Sequence, residues 1–230
     1  PFADEDPLPP DVAIQQIANF IRELQTAYSP RRILGVGVAT PGFVDPESGE
    51  ILSIDRTPGW RHFPLKTRFR AALTLPVVVE NDIDCMAFAE LEQGQVLSAD
   101  NNMVYLGVSE GIKASLWLGG KLYKGPFGNV GIIGRTIVPD ARKGGGQYLE
   151  AIVSVGRICT TFDNEVASLA APAAQLMEMR AMKDRGQKFQ AILEAAAHED
   201  PLCRRVITEA LDALAVATSN LIYLLQPRLL

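Results

Sequence analysis

The spacing of apolar positions divides the chain into a front half of alternating elements and a helical back half. Behind Asp11, which reads as a helix cap, Ile17, Phe20, Ile21 and Leu24 fall at i, i+3, i+4 and i+7, the period of one helix face. "RRILGVGVATPG" predicts a short buried strand over residues 33–39 that ends in a Pro-Gly turn. "FVDPESGEILSI" predicts a turn followed by a strand. Pro64 is placed to open a short helix with Leu65, Phe69 and Leu73 on one face. "LPVVVE" is the next strand, and residues 84–94 read as a helix. "NMVYLGV" and "GIKASLWLGGKLYKG" predict two or three strands, the last pair forming a hairpin across Gly119-Gly120. Beyond residue 147 the pattern is mainly helical. It ends in a helix of about 24 residues with Pro201 near its start and Val206, Ala210, Leu214, Ala217, Leu221 and Leu224 on one stripe.

Helices alternating with strands, followed by a helical block, predict an α/β fold. Residues 1–10, acidic and proline-rich, read as a linker or entry arm. Residues 11–100 read as a first α/β lobe, incomplete at its N-terminus, and residues 101–230 as a second α/β lobe with the C-terminal helices. Starting at Pro1 and stopping straight after a helical pattern, the sequence reads as a piece of a longer protein.

Composition narrows the function classes. Hydrophobic residues at 47% and charged residues at 21% are those of an ordinary soluble globular protein. The net charge is −5 and the Lys and Arg residues are scattered, so the electrostatic footprint of a nucleic-acid binder is missing. No apolar run approaches the roughly 18 residues of a membrane span, so none is expected. The three cysteines are far apart and in no metal spacing, which reads as reduced, mostly buried thiols in a cytoplasmic protein. The two histidines, His62 and His198, stand apart from other metal-type ligands, so no zinc site is expected.

Candidate chemistry gathers where "VVVE" ends in Asn81, Asp82 and Asp84. Ligands of open α/β sheets collect outside the carboxyl ends of strands, and Gly42 follows the end of another strand at "VATPG". The two turns are placed to face each other. Equally, Asn81 and Asp82 are residues favoured as helix caps, because they satisfy free N–H groups. "GPFGNVGIIGR" carries four glycines in eleven residues, enough for close backbone approach to a ligand or for a mobile loop. Glu150, ahead of an apolar stretch, reads as a first-turn helix acid.

"GVGVATPGFVDPESGEI", "TPGW" with "FPL" close behind, "LPVVVENDIDCMAFAE", "GGKLYKGPFGNVGIIG" and "YLEA" follow one another as in the ROK family of bacterial sugar kinases and sugar-responsive transcriptional repressors. The resemblance runs from about Ile33 to the end. It implies the actin-like ATPase or sugar-kinase (ribonuclease H-like) fold, two lobes around a cleft. It implies that Asp82 matches the kinases' general base, that Asn81 holds sugar hydroxyls, and that Glu150 matches a second sugar-contacting acid.

The departures from the family pattern bear on activity. Ile132 stands in place of a sugar-contacting Glu, and Arg135 in place of a His that serves sugar and zinc. "PDARKGGGQYLE" lacks the cysteines of zinc-binding members, so the family's zinc site reads as lost. Nothing before Ile33 resembles the phosphate-cradling Asp-x-Gly-x-Thr motif. "VSEGIKAS" places Glu110 at the position of a phosphate-side Thr, with Ser109 and Lys113 in place of glycines. A carboxylate about 4 Å from a phosphate repels it by about 1 kcal/mol even at water's dielectric.

The resemblance thus points to the effector-binding and dimerisation domain of a ROK-type regulator, with a sugar or sugar derivative in the cleft near Gly42, Asn81, Asp82, Arg135 and Glu150. No cofactor is expected, DNA is contacted only through a separate N-terminal winged helix-turn-helix, and a homodimer is expected, with no membrane partner. Arg135 reads either as the partner of a surface acid or, facing the pocket, as a group that favours an acidic or phosphorylated sugar. The alternatives are an ATP- and Mg²⁺-dependent sugar kinase with Asp82 as general base, and a dimerisation scaffold that binds no sugar.

Overall fold

A computed structural model describes residues 8–230 except 55, 56, 58, 94–101, 127, 129, 141 and 143. The start of the entry arm, the helix end at Gly94 and the boundary at residue 100 lie outside the described residues. The chain divides into two compact units, Pro1–Asp100 with Ser115–Val130, and Asn101–Ala114 with Gly131–Leu230.

The first unit begins with α1 (Pro10–Ala27), β1 (Val36–Thr40), β2 (Phe43–Val44), β3 (Ile51–Ser53), α2 (Leu65–Ala72), β4 (Val77–Asn81) and α3 (Asp82–Gln93). β1 and β4 pair in parallel, with Val36 opposite Val77 and Thr40 opposite Asn81. A parallel pair needs a crossover, here β2, β3 and α2. Val77 and Val79 point into the core while Val78, on the other side of the strand, is 66% exposed. The core joins Ile14, Ala18 and Ile21 to Val44, Ile51, Leu65, Phe69 and Leu73.

The register of α1 differs from the predicted stripe. Ile21 is buried as expected, but Ile17 and Phe20 are exposed and Ile14 and Ala18 take the inner face. The small Ala18 is fully buried, a position that hydrophobicity alone underweights. Asp11 is not the cap: the helix starts at Pro10, behind Pro9, and Asp11 lies in its first turn. Proline fits there because a first-turn N–H has no intrahelical partner.

The chain continues through β5 (Met103–Val108), β6 (Ile112–Leu118) and β7 (Lys121–Leu122). β6 and β7 form the expected hairpin, Trp117 opposite Leu122, with Gly119 and Gly120 at positive φ in its turn. Ser115–Val130 belongs with the first unit, whereas the sequence places it in the second lobe. Contacts remote in sequence hold it there: Lys124 pairs with Glu80, and Gly128 lies against Val44 and Pro46.

The second unit adds β8 (Ile137–Pro139), β9 (Gly146–Tyr148), α4 (Glu150–Val153), α5 (Val155–Ser168), α6 (Ala174–Ala181), α7 (Arg185–Ala197) and α8 (Pro201–Leu225). β8 and β9 form an antiparallel hairpin. Phe162, Val166, Ile192, Cys203 and Val206 are buried among the helices. The Lys188 ammonium, 8% exposed, is satisfied by both Asp163 oxygens at 2.9 and 2.8 Å and by the Arg180 carbonyl at 2.9 Å.

α8 carries the predicted Val206, Ala210 and Ala217 on its buried side, joined by Leu202, Cys203 and Ala213. Leu224, expected on that stripe, is 80% exposed. α8 is long and apolar enough to cross a membrane, which the sequence reading does not anticipate. Its inner side is protein core, and the exposed Arg205 near its start makes an ion pair with Glu165. The cysteines are free: Cys159 and Cys203 are buried and Cys85 is half-buried. Burial, reinforced by Asp200, pushes the Cys203 thiol up to about 12.

Candidate functional site

The parallel register brings the ends of β1 and β4 side by side, and the turns that follow are tied together. Asn81, 5% exposed, donates from Nδ2 to the Gly42 carbonyl at 3.0 Å. Its Oδ1 accepts from the backbone N–H groups of Ile83 at 3.0 Å and Asp84 at 3.3 Å. Asn81 is therefore both the cap of α3 and the bolt between the two strand ends. α3 starts at Asp82, two residues before the predicted helix, because this cap already serves its first turn.

Gly42 has φ +84°, and a Cβ there would sit 2.3 Å from the Ser53 carbonyl oxygen. The Pro-Gly turn thus needs glycine for its conformation and for its close approach to β3. Asp82 is half-buried at the head of α3. Its Oδ1 accepts the Ile83 N–H at 2.8 Å, and Oδ2 has no partner among the described residues. Glu80 Oε1 accepts the Asn81 N–H at 3.0 Å, while Oε2 is paired with the Lys124 ammonium. These groups tune their neighbour: burial first, then the charges of Glu80, Asp84 and Asp82, raise the Cys85 thiol above its ordinary value.

The second unit holds Arg135 and Glu150. Arg135 ends a short turn of 3-10 helix over Ile133–Arg135 and is exposed, and Glu150 is the half-buried first residue of α4. A Cβ on Gly134 would lie 2.9 Å from Glu150 Oε2 and 3.0 Å from the Ile112 carbonyl oxygen. Glycine is thus what lets the Glu150 carboxylate lie beside the backbone next to Arg135. The Glu150 carboxylate has no hydrogen-bond or ion-pair partner among the described residues.

Two ion pairs join residues too far apart in the chain for the sequence to show them. The Lys124–Glu80 pair joins residues 44 apart, and its only local trace is a lysine in a glycine-rich turn. Glu110 is held by Arg185 at 3.5 Å and lies against Gly156 in the first turn of α5. The Ser109 carbonyl beside it accepts the Val155 N–H at 3.0 Å.

The segment aligned with the family's zinc loop is the β8–β9 turn, fastened by Arg142 to Glu165 of α5 and Glu209 of α8. Among the described residues no group of three potential metal ligands occurs. The Arg142 hydrogen bond, opposed by burial and aided by the Arg205 charge, holds the Glu165 carboxyl below its ordinary 4.5. The folded state thus binds fewer protons here than the unfolded chain. The stability from this network is full above pH 4.5 and is lost as pH falls through the lower folded value. Urea unfolding at about pH 7 and pH 3.5 is expected to show that acid loss, and Glu165→Gln is expected to flatten it.

A parallel strand pair whose carboxyl ends present a Pro-Gly turn and an Asn-Asp pair, in a mixed α/β chain with a helical second unit, defines a domain of the sugar-kinase-like class. The profile of the ROK family matches residues 5–230, and the chain belongs to the ROK family. Its fold is the actin-like ATPase, or sugar-kinase, fold. It is 25% identical over 214 residues to a xylose repressor of Caldicellulosiruptor bescii, covering 87% of this chain and 50% of the repressor. It is 32% identical over 109 residues to a glucokinase of Halalkalibacterium halodurans, covering 47% of this chain and 32% of the enzyme. A solved ROK family transcriptional regulator, a homolog of the E. coli MLC protein, matches with a TM-score of 0.78 and 24% identity over 96% of this chain and 55% of that one. The chain spans about half the length of the regulators it matches.

Proposed function

We propose that this chain is the sugar-binding part of a ROK-type transcriptional regulator and transfers no phosphate. The observation that carries the sugar is Asp82: one carboxylate oxygen is fixed by the backbone and the other is open at the end of β4. An open, oriented acceptor suits sugar hydroxyls, and a charged acceptor makes hydrogen bonds roughly twice as strong as a neutral one. Asn81 and Gly42 hold it in place. Glu150 and Arg135 enter the proposal through the family resemblance, Arg135 as the group that favours an acidic or phosphorylated sugar.

Glu110 supports a regulator over a kinase. Its carboxylate occupies the segment that resembles the kinases' phosphate-side stretch, so an ATP phosphate there meets a carboxylate whose charge its Arg185 partner only partly offsets. In this proposal the protein is cytoplasmic and homodimeric, DNA is contacted by a winged helix-turn-helix outside these 230 residues, and sugar binding shifts how the two DNA-binding heads are presented.

A kinase is the second reading, favoured by the retained Asp82 and by the glucokinase relative. Asp82 would then take the proton of the attacking sugar hydroxyl, and ATP and Mg²⁺ would be required. Thermal unfolding against neutral sugars, acidic sugars, sugar phosphates and ATP–Mg²⁺ separates the two. A ligand at about 100 times its dissociation constant stabilises by about 2.7 kcal/mol. A shift with one sugar class and none with ATP–Mg²⁺ is expected. A shift with ATP–Mg²⁺ favours the kinase, and no shift at all leaves a scaffold that binds no sugar.

A further inference from the structure

We propose that the second unit carries a site for a small zwitterion with an apolar body, of the amino-acid type. The site is a cavity of about 340 Å³ lined by the β8–β9 hairpin and by α4, α5 and α8. That volume lies within the range of small-molecule pockets. None of the residues assigned to the sugar lines it, and the proposal does not depend on sugar binding.

The cavity exists because of local sequence. Ala210 and Ala213, one turn apart on α8, supply only methyl groups to a lining that also includes Ile152 and Ile158. The resulting lining is apolar there and favours a ligand that brings apolar surface out of water.

The rim sets the charge of that ligand. Arg142 is held by two acids, its Nε donating to Glu209 and its Nη1 to Glu165, and so serves as wall. Arg157 uses only Nε, which donates to the Ala151 carbonyl at 3.1 Å, and its terminal nitrogens have no partner among the described residues. The Asp212 carboxylate, also on the rim, has no hydrogen-bond or ion-pair partner among the described residues. The lining also holds Asp140, whose Oδ1 accepts the Arg142 backbone N–H at 2.9 Å, so Arg157 and Asp212 are the cation and the anion on it whose charged ends have no partner among the described residues. A purely anionic or purely cationic ligand answers one of them and meets the other as a like charge. A zwitterion answers both, its carboxylate on the Arg157 fork and its ammonium on Asp212.

Calorimetric titration of the full chain with leucine and phenylalanine, each beside its decarboxylated amine and its deaminated acid, tests this. The amino acid is expected to bind about tenfold tighter than either singly charged analogue, since each lacks one charge-assisted hydrogen bond. Arg157→Gln and Asp212→Asn, both at exposed positions, are each expected to weaken it about tenfold. Val216→Trp, at a cavity residue that is 40% exposed, is expected to abolish binding by filling the space. The proposal is overturned if neither amino acid binds at about 10 mM, far above the micromolar-to-millimolar range of such sites. It is also overturned if amine or acid binds as well as the zwitterion, or if the three variants bind like the parent.

Discussion

Gly42→Ala is expected to destabilise the protein by about 2–4 kcal/mol, the sum of a left-handed backbone forced on an L-residue and an overpacked contact. The new Cβ would stand 2.3 Å from the Ser53 carbonyl oxygen and 3.0 Å from Ile54 Cγ1, and a backbone carbonyl of β3 cannot swing aside as a side-chain tip does. The cost spreads to the site, because the Gly42 carbonyl is the acceptor for Asn81 Nδ2. Gly37→Ala is the control: its Cβ would meet nothing within 4 Å, and the change is expected to stay within about 1 kcal/mol of the parent. Urea unfolding of the two variants checks the difference. A Gly42→Ala protein as stable as the parent would show that the turn can relax, and that the bolt between the two strand ends is not rigid.

The second large effect separates two neighbours. Asp82→Asn keeps the shape, and with it the oxygen that accepts the Ile83 N–H, but replaces the open carboxylate oxygen with an NH₂ donor. Stability is expected within about 1 kcal/mol of the parent, while sugar affinity falls by about tenfold to a hundredfold, the worth of one charged hydrogen bond. Asn81→Ala is the reverse case. It strips the N–H groups of Ile83 and Asp84 and the Gly42 carbonyl of a shared partner, and is expected to cost about 2–4 kcal/mol of stability. Calorimetry with the sugar that stabilises the parent, next to urea unfolding, reads both. Tight binding by Asp82→Asn would remove Asp82 from the site.

What the sequence makes legible follows from how local the cause is. Three valines ending at Glu80-Asn81-Asp82 announce a strand end, and Pro41-Gly42 announces another. Their adjacency needs only the parallel pairing of the two strands; β1, expected as a buried strand over residues 33–39, spans Val36–Thr40 and buries only Thr40, with Leu34 84% exposed. Capping and site-building, open alternatives for Asn81 in the sequence, are one arrangement, since the amide that caps α3 also reaches Gly42. The faces of α1 and α8 are less legible. Ile17 and Ile14 each begin a stripe that includes Ile21, and packing against α2 and the strands selects the one with small Ala18. The Lys124–Glu80 and Arg185–Glu110 pairs are illegible, because charges 44 and 75 residues apart have no periodicity to betray them. Moving Ser115–Val130 into the first unit follows from the same kind of remote contact.

In the proposed function the protein binds sugar and does not phosphorylate it. The most direct measurement mixes the protein with the sugar that stabilises it and ATP–Mg²⁺, and follows both binding heat and phosphorylated product. Heat from the sugar, none from ATP–Mg²⁺, and no product are expected. Sugar phosphate formed in step with ATP loss, and abolished by Asp82→Asn, would contradict it and make the protein a kinase.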